Sequence, residues 1–402
     1  MDRLYRYRSK NVHDLKVEGM VVRLWSVAGL DDRREIERAF EPLARSGFVH
    51  PYAALMPDWH PGEDAVIGSV VPTRGTLLPT VIGGDIGCGM IAVRLPVLFA
   101  DLRPGLERIG DALRQVIPVG TAHNASVSGR VEQNPIWERT LRAPVSSRSM
   151  RKLMRQFGSL GGGNHFLEIQ RDGQERLWVM LHSGSRYLGV EVRDYYVSAG
   201  QGREGVDGKL YRRLPHLPLE SAIGQDYLAD VQSVMEFARG SRREMMLRAI
   251  EAVAREAPGL DAEGLLGDAI EISHNHVRVE EHFGERLCVH RKGAVRLAEG
   301  QSGLVPGSMG TCSYVVEGRG NPHGFFSCAH GGGRAMSRSA ALRSVSSKAF
   351  KKSMSDVVCR HDGQLLDEAP EAYKDIRQVM RGQADLVRIV HELVPVLSIK
   401  GR

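Results

Sequence analysis

Two side chains with metal-binding chemistry, Asp85 and Cys88, stand three positions apart among the four glycines of GGDIGCGM (83–90). Glycine lacks a Cβ and tolerates positive φ, so such a stretch can turn tightly enough for carboxylate and thiol to converge. Four histidines lie in similar small-residue surroundings: His165 in GGGNHFLE (161–168), His182 in LHSGSR (181–186), His274 in SHNH (273–276) and His330 in CAHGGGR (328–334). A lone histidine near a strand end is ordinarily a hydrogen-bonded structural residue, and a lone DxGC is ordinarily a tight turn around a buried thiol. Repetition of one pattern over separate segments is what metal coordination requires.

Asp85, Cys88, His165, His182 and His274 form the candidate ligand set. Five ligands exceed a closed tetrahedral site and a thiolate can bridge, so two metals sharing Cys88 fit better than one. Affinity order alone favours zinc over manganese for thiol and imidazole, and the residues leave the metal open. His330 differs. The GGGR that follows it offers backbone amides and a guanidinium to phosphate oxygens, and a neutral imidazole is a competent nucleophile. That combination is compatible with a covalent nucleotidyl-histidine. Neither GxxxxGK[ST] nor a lysine followed by x-Asp-Gly occurs, so a nucleotide would bind by another design.

Helical and strand-like patterns that could position these residues alternate along the chain without an internal repeat. A helix is expected over 31–48, capped by Asp31 or Asp32. Apolar runs at 176–184 and around 271–279 read as strands ending in polar turns. Helical periodicity marks 227–257, with an interruption near Gly240, and a second long helical region at 370–394. The polar stretch 121–150 reads as a flexible loop. No interdomain linker stands out, so 1–402 is expected to form one compact catalytic unit.

Composition bounds the function classes. The 402 residues are 42% hydrophobic and 25% charged, ordinary for a globular protein. A net charge of +6 suits polyanionic partners and equally an ordinary basic protein. The N-terminus carries no charged-then-apolar leader, and no apolar run approaches the ~18 residues of a membrane span. Five cysteines without a CxxC pair suggest reduced thiols in the cytoplasm.

With these residues assembled, the sequence resembles the RtcB-type RNA ligase family. The likeness runs through MPDWHPGEDAVIGSVVPT (56–73), DIGCGM (85–90), GGGNHFLE, LHSGSR, RKGAV (291–295), PGSMGTCSY (306–314), SCAHGGGR (327–334), AYKDI (372–376) and Lys400-Gly401. It implies an α+β fold with central β-sheets surrounded by helices. It also implies joining of an RNA 3′-phosphate or 2′,3′-cyclic phosphate to a 5′-hydroxyl, with GTP and two Mn2+ ions. On that resemblance Cys88 bridges the metals, with Asp85 and His165 on one ion and His182 and His274 on the other. His330 carries GMP. Asn164, Phe166, Glu168, Ser308, Met309, Ser313, Gly331, Tyr373 and Lys400 line the guanylate pocket, while Arg186 and Arg334 contact phosphate or RNA. Basic runs from Arg334 to Lys352 and at Arg148, Arg151, Lys152 and Arg155 suit an RNA path or solvated helix faces. The resemblance leaves room for an activating protein partner.

Departures from the family pattern include Ser273 where His-His-Asn is usual, Ala329 and Gly332 around the nucleophile, Tyr187 after HSGSR, and Trp59 and Asp64 in the early motif. No ligand or nucleophile position is lost. The competing readings are a metal-dependent RNA cyclic phosphodiesterase, which would have no use for a guanylate pocket, and a non-catalytic RNA-binding paralogue, which would be expected to lose ligands.

Overall fold

Alternation along the strands decides which side chains face the site. The computed structural model of the chain describes residues 7, 9–26, 32–62, 65–201, 214–360 and 363–401. One sheet has the strand order β1 (Val12–Val17), β2 (Met20–Trp25), β3 (Tyr52–His60), β4 (Ile67–Thr73), β12 (Glu285–Lys292) and β11 (Asn275–His282). The other has the order β10 (Ile270–Ser273), β6 (Gly89–Leu98), β8 (Arg176–Ser183), β7 (Phe166–Arg171), β17 (Val387–Lys400), β15 (Ser313–Gly318) and β14 (Ser302–Val305). Two small ribbons pair β5 (Thr76–Leu77) with β9 (Leu217–Pro218) and β13 (Ala294–Arg296) with β16 (Ser327–Ala329).

The two large sheets share one core. Tyr52, Ala54 and Met56 of β3 and Val70 of β4 cluster with Met90 and Ala92 of β6 and Trp178 and Met180 of β8. Intervening residues point to the outer faces. Ala53 and Leu55 pack beneath Ile36, Phe40 and Leu43 of the helix Arg33–Arg45. Ile91, Val93, Val179 and Leu181 pack on Met245 and Ile250 of the long helix Ala222–Val253. The fold is α+β, with central sheets and helices outside, as expected. The same period of two carries Asp58 and His60 (after Met56), His182 (after Met180), and Phe166 and Glu168 toward the space between the sheets.

Several elements depart from expectation. Of the two candidate caps, Asp32 accepts a hydrogen bond from the Glu35 amide at 3.1 Å, whereas Asp31, like Asp64, lies outside the described residues. The 271–279 run is two strands broken at His274, whose amide donates to the Cys88 carbonyl at 2.9 Å. No interruption occurs at Gly240. A Cβ there would sit 3.1 Å from the Phe157 ring, so this glycine makes room for a neighbour inside a continuous helix. The expected helix over 370–394 is a correction: only Ile376–Gly382 is α-helical, and Val387 onward is β17, between β7 and β15. Its Val and Ile content favours a strand, and Pro395, which would break a helix, sits at a register shift of the β17–β7 pairing.

The 121–150 stretch contains the short helices Gly129–Glu132 and Pro135–Glu138 and the start of Ser147–Gln156. It is tied to the long helix by Arg130 on Glu244 at 2.8 Å and by the Arg142 and Ala143 amides on Asp230 at 2.8 Å each. Among the described residues no helix is long and apolar enough to cross a membrane.

Candidate metal centre and nucleotide cavity

All five proposed metal ligands leave their elements at ends that face one point. Cys88 immediately precedes β6, His165 precedes β7, His182 is near the end of β8, and His274 joins β10 to β11. Asp85 lies in the turn before Cys88. Gly87 in that turn has φ +73°, and a Cβ there would lie 2.8 Å from the Met235 backbone. Only glycine suits both the conformation and the close packing on the long helix.

Two triads of donor atoms result, Asp85/Cys88/His165 and Cys88/His182/His274, each with its atoms within 4.8 Å of one another. Cys88 belongs to both. Its Sγ lies 3.5 Å from His165 Nε2 and 3.2 Å from His182 Nε2. His165 Nε2 lies 3.1 Å from Asp85 Oδ2, and His182 Nε2 lies 3.3 Å from His274 Nε2. The other ring nitrogens explain the orientation. His165 Nδ1 meets the Leu160 carbonyl at 2.9 Å, and His182 Nδ1 meets the Asn164 carbonyl at 3.2 Å. A carbonyl only accepts, so Nδ1 carries the proton and Nε2 turns its lone pair inward, the usual arrangement of a ligating imidazole. Converging lone pairs beside a thiol and a carboxylate fit a metal site. Asn275 braces the turn, donating to the Asp85 carbonyl at 3.1 Å and accepting from the Gly293 amide at 2.9 Å.

Electrostatics follow from enclosure. Burial pushes the Cys88 thiol up and the His182 and His274 imidazolium groups well down. Burial opposes ionisation of Asp85 too, but its neighbours His165, Cys88 and His182 together outweigh burial and hold the carboxyl at about 2.

His330 stands beside this cluster, its ring 4.7 Å from that of His274 between centroids. Its Nδ1 lies 2.6 Å from Asp58 Oδ2, which also accepts from the amides of His330 at 3.1 Å and Gly331 at 3.2 Å. Asp58 is fully buried, and this clamp leaves His330 Nε2 as the free nitrogen. Lys374 donates to the Pro57 and Trp59 carbonyls at 3.2 and 2.6 Å, fixing the backbone on either side of Asp58. His60 stacks on His330 at 6.5 Å, and burial lowers its pKa to about 4.

From His330 a cavity of about 480 Å³ opens, within the range of small-molecule sites. Asn164, Phe166, Glu168, Ser308, Met309, Gly331, Tyr373 and Lys400 line it, together with His60, Arg334 and Arg338. Ser313 does not. It lies behind the wall, bonding Gln170 at 3.1 Å and the Gly307 amide at 3.3 Å. Glu368 gathers the far side: Lys400 pairs with it, Tyr373 donates to it at 2.7 Å, and Arg334 and Arg338 reach its other oxygen. Arg334 also donates to the carbonyls of Asp367 at 2.8 Å and Met336 at 3.0 Å, so its guanidinium is already engaged. Arg186 is not on the cavity; it lies by His165, has φ +57°, and donates to the Gly120 carbonyl at 3.1 Å.

Asp58, His60, Asn275 and Glu368 are absent from the residues singled out by sequence, and Arg338 figured there only within the basic run Arg334 to Lys352. Asp58 had a signal, a carboxylate inside an apolar strand run beside a histidine (MPDWHP). Glu368 had none, since only the fold brings it to Lys400.

The family described as tRNA-splicing ligase RtcB matches residues 40–401. The RNA-splicing ligase RtcB of Escherichia coli strain K12 is 35% identical over 97% of this chain and 100% of its own length. The tRNA-splicing ligase RtcB of Archaeoglobus fulgidus is 32% identical over 92% of each chain. The RNA-splicing ligase RtcB of Mycobacterium tuberculosis is 33% identical over 86% of this chain and 96% of its own. With this match over nearly its whole length, the chain belongs to the RtcB family of tRNA-splicing ligases.

Proposed function

We propose that this protein is a GTP- and manganese-dependent RNA ligase that joins an RNA 3′-phosphate, or a 2′,3′-cyclic phosphate after opening it, to a 5′-hydroxyl. One observation carries the reading: His330, held through Nδ1 by Asp58 at 2.6 Å, stands between a nucleotide-sized cavity and a five-ligand cluster. Asp58 fixes the tautomer, so the Nε2 lone pair is available to the α-phosphorus of GTP. The Nε2–P bond forms as the bond to pyrophosphate breaks. A 3′-phosphate oxygen of RNA then takes the GMP and frees His330. Finally the 5′-hydroxyl oxygen attacks the activated phosphorus, losing its proton, and GMP departs.

Phe166, Glu168, Ser308, Tyr373 and Lys400 would hold the guanylate, and Asn164 and Gly331 would flank its phosphate. Ser313 would act through Gln170 rather than by contact. Asp85, Cys88, His165, His182 and His274 would hold two manganese ions, which when bound offset phosphate charge. Arg186 and Arg334 would lie near the RNA phosphates, with Arg334 needing release from Glu368. The substrate would be a cleaved RNA from tRNA splicing or RNA repair, with or without an activating protein.

The test mixes one RNA ending in 3′-phosphate, a second beginning with 5′-hydroxyl, GTP and manganese. A joined product that requires GTP and is not formed with 3′-hydroxyl and 5′-phosphate ends is expected. With a 2′,3′-cyclic phosphate in place of the 3′-phosphate, opening of the ring without joining would instead establish the phosphodiesterase.

A further inference from the structure

The strand segment that supplies His274 also walls a second, larger cavity of about 1120 Å³. Ser273 and His276 line it on either side of His274, whose own ring turns to the metal cluster. The long helix Ala222–Val253 forms the opposite wall. Arginines dominate the lining. Two of them, Arg239 and Arg243, are neutralised by Glu271, and Arg139 is paired with Glu236.

The other three are less fully engaged among the described residues. Arg242 is 1% exposed, and its Nη1 donates to the carbonyls of Gly87 and Ser183 at 2.9 Å each, in the segments that carry Cys88 and His182. Its Nε–H is buried without a partner among the described residues. Arg296 Nε makes an ion pair of 3.4 Å with Glu280 but no hydrogen bond among the described residues. Glu280 already accepts from Arg291 at 2.6 and 3.0 Å and from His282 at 2.8 Å. Arg278, exposed on β11, makes no hydrogen bond or ion pair among the described residues. Buried His276 has no hydrogen-bond partner for Nδ1 among the described residues. Unmet buried donors cost free energy that a bound oxyanion recovers. The buried Nε–H of Arg242, together with Arg296 and the exposed, unpaired Arg278 on the same cavity, points to phosphate.

We propose that this cleft binds the phosphodiester backbone of the RNA strand that approaches the metal centre from the side away from the guanylate cavity, with Arg278, Arg296 and Arg242 as its phosphate donors. The proposal rests on the ligase reading. Two RNA ends must meet at one centre, and the cavity at His330 would already hold the nucleotide. The volume exceeds what a single phosphate needs, and the lining is cationic beyond its own carboxylates. Phosphate contacts position a strand without reading its sequence.

The experiment compares wild type with Arg278→Ala/Arg296→Ala, and with the exposed single change Arg278→Glu as a folding-safe second variant. Affinity for two unrelated single-stranded RNAs is measured against salt concentration. Loss of two contacts should lower the slope of log affinity on log salt by about 1.4, at roughly 0.7 per contact, equally for both sequences. Arg278→Glu should weaken both RNAs in the same direction. His330 guanylylation should stay at the wild-type level, since the nucleotide site is elsewhere. Unchanged slopes would overturn the proposal. So would stabilisation of the wild type, but not the double variant, by millimolar inorganic phosphate with RNA affinity unaffected, which would mark a free-anion site. Failure of the ligase reading would show separately, as absence of guanylylation in wild type.

Discussion

At the scale of single residues, identifiable neighbours set the polar groups of the site. Asp58 fixes His330, so Asp58→Asn should slow guanylylation by about 10²-fold or more while leaving metal content unchanged, because an amide can hold the imidazole in the wrong tautomer. Quantifying GMP attachment and bound metal side by side checks this, and equal loss of both would mean a folding defect. Cys88 is shared by both triads, so Cys88→Ala should lower occupancy of both ions, whereas His274→Ala should weaken mainly one. Loss of a single ion in Cys88→Ala contradicts the bridge.

Glu168 is 2% exposed, and burial outweighs the Gln170 bond, the Lys400 charge and the Ser398 bond, raising its pKa from the ordinary 4.5 to about 7. A carboxyl with a raised folded pKa binds more protons folded than unfolded, so its contribution is complete at low pH and is lost as pH rises. Stability should therefore fall across this window by about 1.4 kcal/mol per pH unit at most. Glu168→Gln should flatten that part of the curve of Tm against pH, and parallel curves for the two proteins contradict the assignment.

At the scale of elements, strand ends and their turns position the chemistry. Gly87→Ala would force a Cβ onto positive φ and against Met235, 2.8 Å away. The conformation alone costs about 1–2 kcal/mol, and displacement of Cys88 should lower metal content in the folded fraction. Thermal unfolding and metal analysis read both effects. The convergence of the five candidate ligands was legible in sequence because they lie in small-residue turns, where glycine marks a backbone that must bend. The Glu368 hub was not, since Lys400, Tyr373 and Arg338 meet only when β17 lies in the middle of its sheet. That strand was itself read as helix: the apolar spacing of 370–394 satisfied a helical period, and only Pro395 and the Val/Ile content argued otherwise. Long-range pairing with β7 and β15 decided the outcome.

Over the whole molecule, two sheets place the proposed nucleotide cavity beside the candidate metal cluster. Arg343, Lys348, Lys351 and Lys352 are exposed, whereas Arg334 and Arg338 of the same run are drawn inward to Glu368. The run thus divides between site wall and surface, a split its charge pattern did not reveal. The most direct test of the account is the fate of radiolabelled GTP incubated with the metal-loaded protein. The account predicts an acid-labile, base-stable label that maps to His330, is absent in His330→Ala, and passes to RNA bearing a 3′-phosphate. A label on another residue, or none on protein shown to hold its metals, would contradict it.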